Sequence, residues 1–400
     1  MHTAFEDDCS AAVTSLSAAL IDLYDSIQAD PHRPQDAARQ FGINKTLTWN
    51  IAKLLQADQP LEAAVHVPGT SSLERMLKAV SKHGATTEKI NRVRDAVRSF
   101  DHAVEVHVGD RSDLELLLDS MGNRKADGLE LSRKLSFRGN SGVYGIQAKT
   151  RLSSIFLAPN ADDPSMLDSA TVSSFTALRR LRASVRWPIF RLVTWGGGDH
   201  ELDPHAWQPL DGSVKTPTSV GLLDQFSNQN GSTLVMQDSP TGLECILEPG
   251  PIGNLNAIDI VRGHRKSAFA PRFSAPARTY EEFGVAITTP CQYLVFDLFM
   301  HEDIATLEQA QAMVFAKIFS QGDTVLEPQD QSVLPIALEP VRIAGKPPAV
   351  ATALVPGYAD LFAYVGQQTG WDLGRFRGIR LQMKYPPLGS TVMMRFPLEA

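Results

Sequence analysis

The chain has 400 residues, 43% hydrophobic and 21% charged, with a formal net charge of −7 at pH 7. That length favours two or three cores over one, and the composition excludes disordered, collagen-like and low-complexity classes. The acidic balance gives no global attraction to nucleic acid or to an anionic membrane surface, and no run of 18 apolar residues occurs that would span a bilayer.

The charge is unevenly spread. Residues 1–130 hold 14 Lys and Arg against 20 Asp and Glu, residues 131–200 hold 10 against 4, and residues 201–400 hold 14 against 21. A basic block between two acidic ones faces either an anionic partner or the acidic N-terminal part. Cys9, Cys245 and Cys291 are far apart and follow no CxxC or Cys/His spacing. No metal, cofactor or disulfide framework is therefore expected. A reduced, cytoplasmic setting fits, and the acidic start MHTAFEDDCSAAV lacks the order of a signal peptide.

In chain order, Val13, Leu16, Leu20, Leu23 and Ile27 recur at three- and four-residue steps and predict a helix over Ser10 to Asp30. Pro31 and Pro34 break it. The stretch Pro34–Leu55, PQDAARQFGINKTLTWNIAKLL, predicts two short helices around a glycine turn. Gln35 to Phe41 is the first, Gly42 the turn, Asn44 an N-cap, and the second helix runs to about Gln56. Leu47, Ile51 and Leu54 mark its buried face, which leaves Lys45, Thr46, Trp49, Asn50 and Lys53 outward.

This pattern resembles the helix-turn-helix of bacterial transcription regulators. The residues that carry the resemblance are Ala38, Gly42, Ile43, Leu47 and Ile51. The resemblance implies that the outward face of the second helix enters the major groove of duplex DNA. Asn50 and Thr46 then face base edges, Arg33, Arg39, Lys45 and Lys53 hold phosphates, and Trp49 lies on the same face. Between residues 32 and 55 only Asp36 opposes those four cations, a local charge of +3.

Ser71 with Glu74 predicts a capping box opening a helix to about Lys82, and Thr87 caps the next. There Ile90, Val93, Val97, Phe100 and Val104 repeat at steps of three and four, a two-heptad seam. One reading makes it a homo-oligomer contact, the other a helix packed on its own domain. Ser112 with Glu115 caps a last helix, Asp113 to Met121. Residues 1–121 thus form an all-α domain, followed by a linker at 122–130 and a β-rich α+β domain over 131–400.

In that second part, Gly139, Gly142 and Gly145 predict a turn leading into a strand at Ile146–Leu152. Asp168 to Leu181 predicts a helix ending in Arg179, Arg180 and Arg182, beside Arg186, Arg191, Trp187 and Phe190. Arginines among aromatics suit anion contact; paired to domain acids, they are only structural. His200, Glu201, Asp203 and His205 crowd a glycine-rich loop without the spacing of a metal site. Residues 211–235 read as a polar loop, and Ser232–Met236 and Glu244–Leu247 as short strands. Val261 to Arg278, with Arg262, Arg265 and Lys266, reads as a basic, proline-broken arm able to touch an anion. Cys291 to Met300 predicts a central strand, Ile304 to Gln311 a helix, Met313 to Phe319 a strand and Gly357 to Gln368 a helix. Gly378–Tyr385 and Thr391–Phe396 predict a closing hairpin.

No Ser/His or Cys/His arrangement points to nucleophilic catalysis. Three functions follow in order of weight. The first is a DNA-binding regulator whose C-terminal domain senses a ligand or partner. The second is a self-assembling structural protein, and the third an enzyme of unrecognised chemistry.

Overall fold

In a computed structural model, the structure describes residues 5–121, 129–193, 208–212, 221–239, 242–276, 278–304, 306–316 and 332–400. The fold is α+β: a helical N-terminal region followed by a mixed, mostly antiparallel β region. The chain divides into two compact units, residues 1–132 and 133–400. No helix among the described residues is long and apolar enough to cross a membrane.

The first unit contains α1 (Phe5–Ser26), α2 (Pro34–Phe41), α3 (Lys45–Gln56), α4 (Pro60–Ala64), α5 (Thr70–Ser81), α6 (Thr87–His107) and α7 (Arg111–Ser120). The two long helices, α1 and α6, run antiparallel. Asp8 near the start of α1 meets His107 at the end of α6 at 2.8 Å, and Asp22 near the end of α1 meets Lys89 near the start of α6 at 2.7 Å. The α1 stripe Val13, Leu16, Leu20 and Leu23 is 0–1% exposed. Facing it in one core are Ile90, Val93, Val97, Phe100 and Val104, at most 7% exposed. The heptad spacing is therefore satisfied inside the chain, and the five residues are core, not an oligomer contact. Periodicity marks an apolar face without naming what covers it.

Three helix starts differ from the expected ones. Helix α5 begins with Gly69 at its N-cap and no side-chain cap. Ser71 therefore lies inside the first turn, and Glu74 pairs with Arg94 at 2.8 Å. Helix α6 is capped by Thr86, whose side chain accepts from Lys89 N. Helix α7 is capped by Asp110, whose carboxylate accepts from the backbone of Ser112 and Asp113 at 2.7 and 2.9 Å. In the last case an aspartate with two N–H donors in reach displaces the serine box.

The second unit is built on a seven-stranded sheet in the order β11-β12-β9-β1-β2-β7-β4. Its strands are β1 (Ile146–Pro159), β2 (Met166–Arg180), β4 (Gln208–Pro209), β7 (Ile258–Pro271), β9 (Cys291–His301), β11 (Val341–Ile343) and β12 (Phe376–Lys384). All neighbours pair antiparallel except β1 with β9. Two three-stranded sheets accompany it. One is β3 (Trp187–Val193), β6 (Gly242–Leu247) and β5 (Leu234–Ser239). The other is β10 (Gln311–Phe315), β13 (Thr391–Pro397) and β8 (Tyr280–Ala286). Helix α9 (Tyr358–Thr369) packs Tyr358, Leu361, Phe362 and Val365 on one face of the large sheet. Phe156, Phe299 and Phe362 meet there with centroids 4.7–5.5 Å apart.

Several expected elements change type. Gly139 and Gly142 lie inside a helix, α8 (Glu130–Tyr144); only Gly145, at φ 71°, is a turn. The 168–181 segment is strand β2, not helix: its serines, threonines and Val172 sit between β1 and β7, where β-branched and small residues fit the pleat. The 261–278 stretch is mostly strand β7, not an arm. The basic side chains hid a backbone paired to β2 along its length. Residues 307–309 form a single 3-10 turn where a helix was expected. Leu223, in the expected polar loop, is 2% exposed.

The closing hairpin does not form. Strand β12 pairs with β9 and β11, and β13 with β10 and β8. The chain leaves one sheet for another through Tyr385 at φ 49° and Gly389 at φ 82°. The linker over 122–128, the end of the 313–319 strand and the loop holding His200, Glu201, Asp203 and His205 lie outside the described residues.

Candidate nucleic-acid interface

The turn between α2 and α3 is built around Ala38. Gly42 takes φ 63°, and its N–H returns to the Ala38 carbonyl. The N–H of Ile43 reaches the same oxygen at 3.1 Å. Ala38 is 6% exposed, as the close approach of the helices requires. The left-handed glycine and the double donation end α2 in a single residue. Asn44 then opens α3, its side-chain oxygen accepting from Thr46 N at 2.7 Å.

Leu47, Ile51 and Leu54 are buried at 0–7% and fix the rotation of α3. Thr48 is 1% exposed and donates its hydroxyl to the Lys45 carbonyl at 2.9 Å, so a polar residue fills an apolar position with its hydrogen bond satisfied. The opposite face presents Lys45, Thr46, Trp49 and Lys53 to solvent, with Asn50 half-buried. Trp49 is 46% exposed. From Lys45 to Lys53 the stripe runs about 12 Å along the axis, at a rise of about 1.5 Å per residue. A major groove about 12 Å wide admits such a helix.

Lys45, Lys53 and Arg39 make no ion pair among the described residues. Arg33 differs: it lies 3.6 Å from Asp30, both largely exposed. At the far end of α3, an open depression is lined by Lys53, Gln56, Ala57, Asp58, Glu62 and His66. Its two carboxylates bound the cationic stripe on that side.

The other predicted anion contacts serve the chain itself. Arg180 is 2% exposed and donates Nε and Nη2 to the Glu248 carbonyl at 3.1 and 2.5 Å; burial lowers its pKa. Arg182 donates to the Gly142 and Val143 carbonyls at 2.9 and 2.8 Å, closing the end of α8. Arg265 likewise reaches the Gln368 carbonyl of α9 at 3.1 Å. Arg179 bonds the Asn254 side chain, and Lys266 lies 5.7 Å from the Phe269 ring centroid. Arg186 and Arg191 pair with Glu248 and Glu244, each at 2.8 Å. Arg262 gives one bond, from Nη1 to the Arg191 carbonyl at 3.1 Å, and lies over the Phe190 ring.

A buried polar quartet in the second unit has no local signature in the sequence. Ser154 and Tyr358 share a 2.6 Å hydrogen bond, Tyr358 donates to Asp297 at 2.7 Å, and Arg380 holds Asp297 by two bonds of 2.9 and 2.7 Å. Burial pushes Asp297 up against the pull of Arg380, and pushes the Tyr358 hydroxyl well above its ordinary value. Its members come from β1, β9, α9 and β12, and no spacing rule joins them.

Fold and site together describe an α+β protein with two short helices joined by a glycine turn in its helical unit. No protein family matches the sequence, and neither does any curated protein. Among solved structures, a putative protease from Parabacteroides distasonis superposes with a TM-score of 0.25 at 8% identity, over 63% of this chain and 40% of that one. An M1 zinc metallopeptidase from Deinococcus radiodurans gives 0.22 at 6%, over 62% and 42%. The chain thus covers about 40% of the length of these proteins. Likeness at this level carries no argument about activity. Among the described residues no group of three His, Cys, Asp or Glu side chains is placed to hold a metal.

Proposed function

We propose that the chain is a DNA-binding regulator: α3 contacts duplex DNA and the second unit senses a ligand or partner. The observation that carries this reading is the α3 stripe of Lys45, Thr46, Trp49 and Lys53, exposed and without ion pairs among the described residues. Free lysines release counterions on meeting phosphate, whereas paired ones first lose their partner. Asn50 at the centre of the stripe has the donor and acceptor that an adenine edge requires. Because the α6 seam is internal, the reading rests on one helix per chain, and weak binding of the non-specific kind is expected.

The test is fluorescence anisotropy of a labelled duplex across salt concentrations. Wild type binds at low salt, and affinity falls steeply as salt rises. The triple variant Lys45→Ala/Asn50→Ala/Lys53→Ala binds more weakly, with a log–log salt slope shallower by about 2 for the two lysines. A wild-type protein that leaves the duplex unbound at low salt, where attraction is greatest, removes the reading.

A further inference from the structure

Two guanidinium groups share one aromatic surface in the second unit with no paired acid among the described residues. The Arg151 Cζ lies 4.6 Å from the Phe175 ring centroid and 5.5 Å from that of Phe190. The Arg262 Cζ lies 4.6 Å from the same Phe190 ring. The two distances to Phe190 bound the separation of the cations at 10.1 Å. Strand register explains the meeting. Arg151 pairs with Phe175, and Ser173, two residues before Phe175, pairs with Arg262 and with Ser153. Alternate residues share a face, so Arg151, Ser153, Ser173, Phe175 and Arg262 all project from one side of the large sheet.

Neither arginine meets a carboxylate among the described residues. Arg151 uses only Nη1, toward the Leu152 and Ser174 carbonyls at 3.2 and 3.3 Å. Arg262 uses only Nη1, toward the Arg191 carbonyl. Nε and Nη2 of both keep their donors without an acceptor among the described residues. Both side chains are half-buried. Desolvation, with the neighbouring cation added for Arg151, pushes Arg151 down to about 9 and Arg262 down to about 10. Two like charges brought together away from water are costly unless an opposite charge joins them.

We propose that Arg151 and Arg262 form a binding site for a small oxyanion, a carboxylate or a phosphate. The guanidinium forks supply paired donors for the oxyanion, and the buried rings of Phe175 and Phe190, each 2% exposed, back the two guanidiniums and hold them in place. The Ser153 and Ser173 hydroxyls, side by side on the same face, are further donors. The proposal rests on the regulator reading for its use, as the site of the sensed ligand. Its test contains no DNA, so the two readings fail separately.

The full chain is titrated by calorimetry with benzoate, phenyl phosphate, inorganic phosphate and the neutral control benzamide. The expected result is binding of benzoate, phenyl phosphate or both, each tighter than benzamide by at least tenfold. The order of benzoate and phenyl phosphate tells whether a carboxylate or a phosphate is preferred, and binding of inorganic phosphate supports recognition of the oxyanion itself. Arg262→Gln weakens the bound probe at least tenfold while the melting temperature is followed in parallel. Should Arg262→Gln fail to fold, Arg262→Lys keeps the charge, loses the fork and binds several-fold more weakly. Equal binding of benzoate and benzamide, absence of binding by every anionic probe at millimolar concentration, or undiminished affinity in the folded variants overturns the proposal.

Discussion

Asp297 has no exposed surface, and its two oxygens are engaged by the Arg380 fork and the Tyr358 hydroxyl. Such a quartet contributes little net stability when complete and costs much when broken, because the stranded partner cannot rehydrate. Asp297→Ala leaves the Arg380 guanidinium, 16% exposed, without its counter-charge. It is expected to destabilise the second unit by about 3–5 kcal/mol. Tyr358→Phe removes one hydroxyl between two buried oxygens and is expected to cost about 1–3 kcal/mol. Urea denaturation followed by tryptophan fluorescence measures both, and equal losses in the two variants contradict the charge argument. Gly378 poses a different constraint: a Cβ there lies 2.6 Å from the Phe299 ring. Gly378→Ala must displace a ring stacked on Phe156, and a loss of about 1–3 kcal/mol is expected in the same assay. Gly42 was legible as a turn residue because Phe-Gly-Ile between two periodic stretches is a local signal. Gly378 was not, since its need arises from β9, far away in the chain.

Pairs of elements carry the pH response of the helical unit. Lys89 lowers the Asp22 carboxyl by hydrogen bonding and charge, and Arg94 does the same to Glu74. Their ordinary values are 3.8 and 4.5. A carboxyl whose folded pKa is depressed contributes stability that is present above its unfolded pKa and is lost as pH falls through the folded value. The α1–α6 and α5–α6 contacts therefore weaken below about pH 4.5 as those two carboxyls take up protons. Glu74→Gln removes part of that dependence, so its thermal midpoint changes less between pH 5 and pH 3 than wild type; an unchanged profile contradicts it. The α6 seam offers a sharper test of packing against association. Val93 has no exposed surface and lies in the core, so Val93→Asp is expected to abolish the cooperative helical melt. A folded monomer from that variant in light scattering restores the oligomer-contact reading. Helices α1, α2, α3 and α6 were legible from apolar period and caps, because helix hydrogen bonds are local. Strands β2 and β7 were not: serine-rich and arginine-rich stretches become strands only when their partners supply the ladder.

The whole molecule has two cores that can be treated separately. Residues 1–132 have their own contiguous apolar cluster, from Cys9 to Leu118. Expressed alone, that segment is expected to give a helical circular dichroism spectrum and one cooperative thermal transition. A featureless spectrum contradicts an independent core. The amino-acid sequence by itself determined the α+β class, the helical nature of residues 5–120, the outward stripe of α3, the central strand β9 and the buried face of α9. Each depends on period, capping or turn chemistry within a few residues. Tertiary structure alone decided that the heptad seam faces inward, that β12 and β13 part into different sheets, and that most arginines of the basic segments close helix ends or hold carbonyls. It also placed Arg151 and Arg262, 111 positions apart, over one phenylalanine ring. The physical reason is the same in every case: sheet order and the far side of an apolar or charged face are set by partners distant in sequence, and a local pattern says that a face will be covered without saying by what.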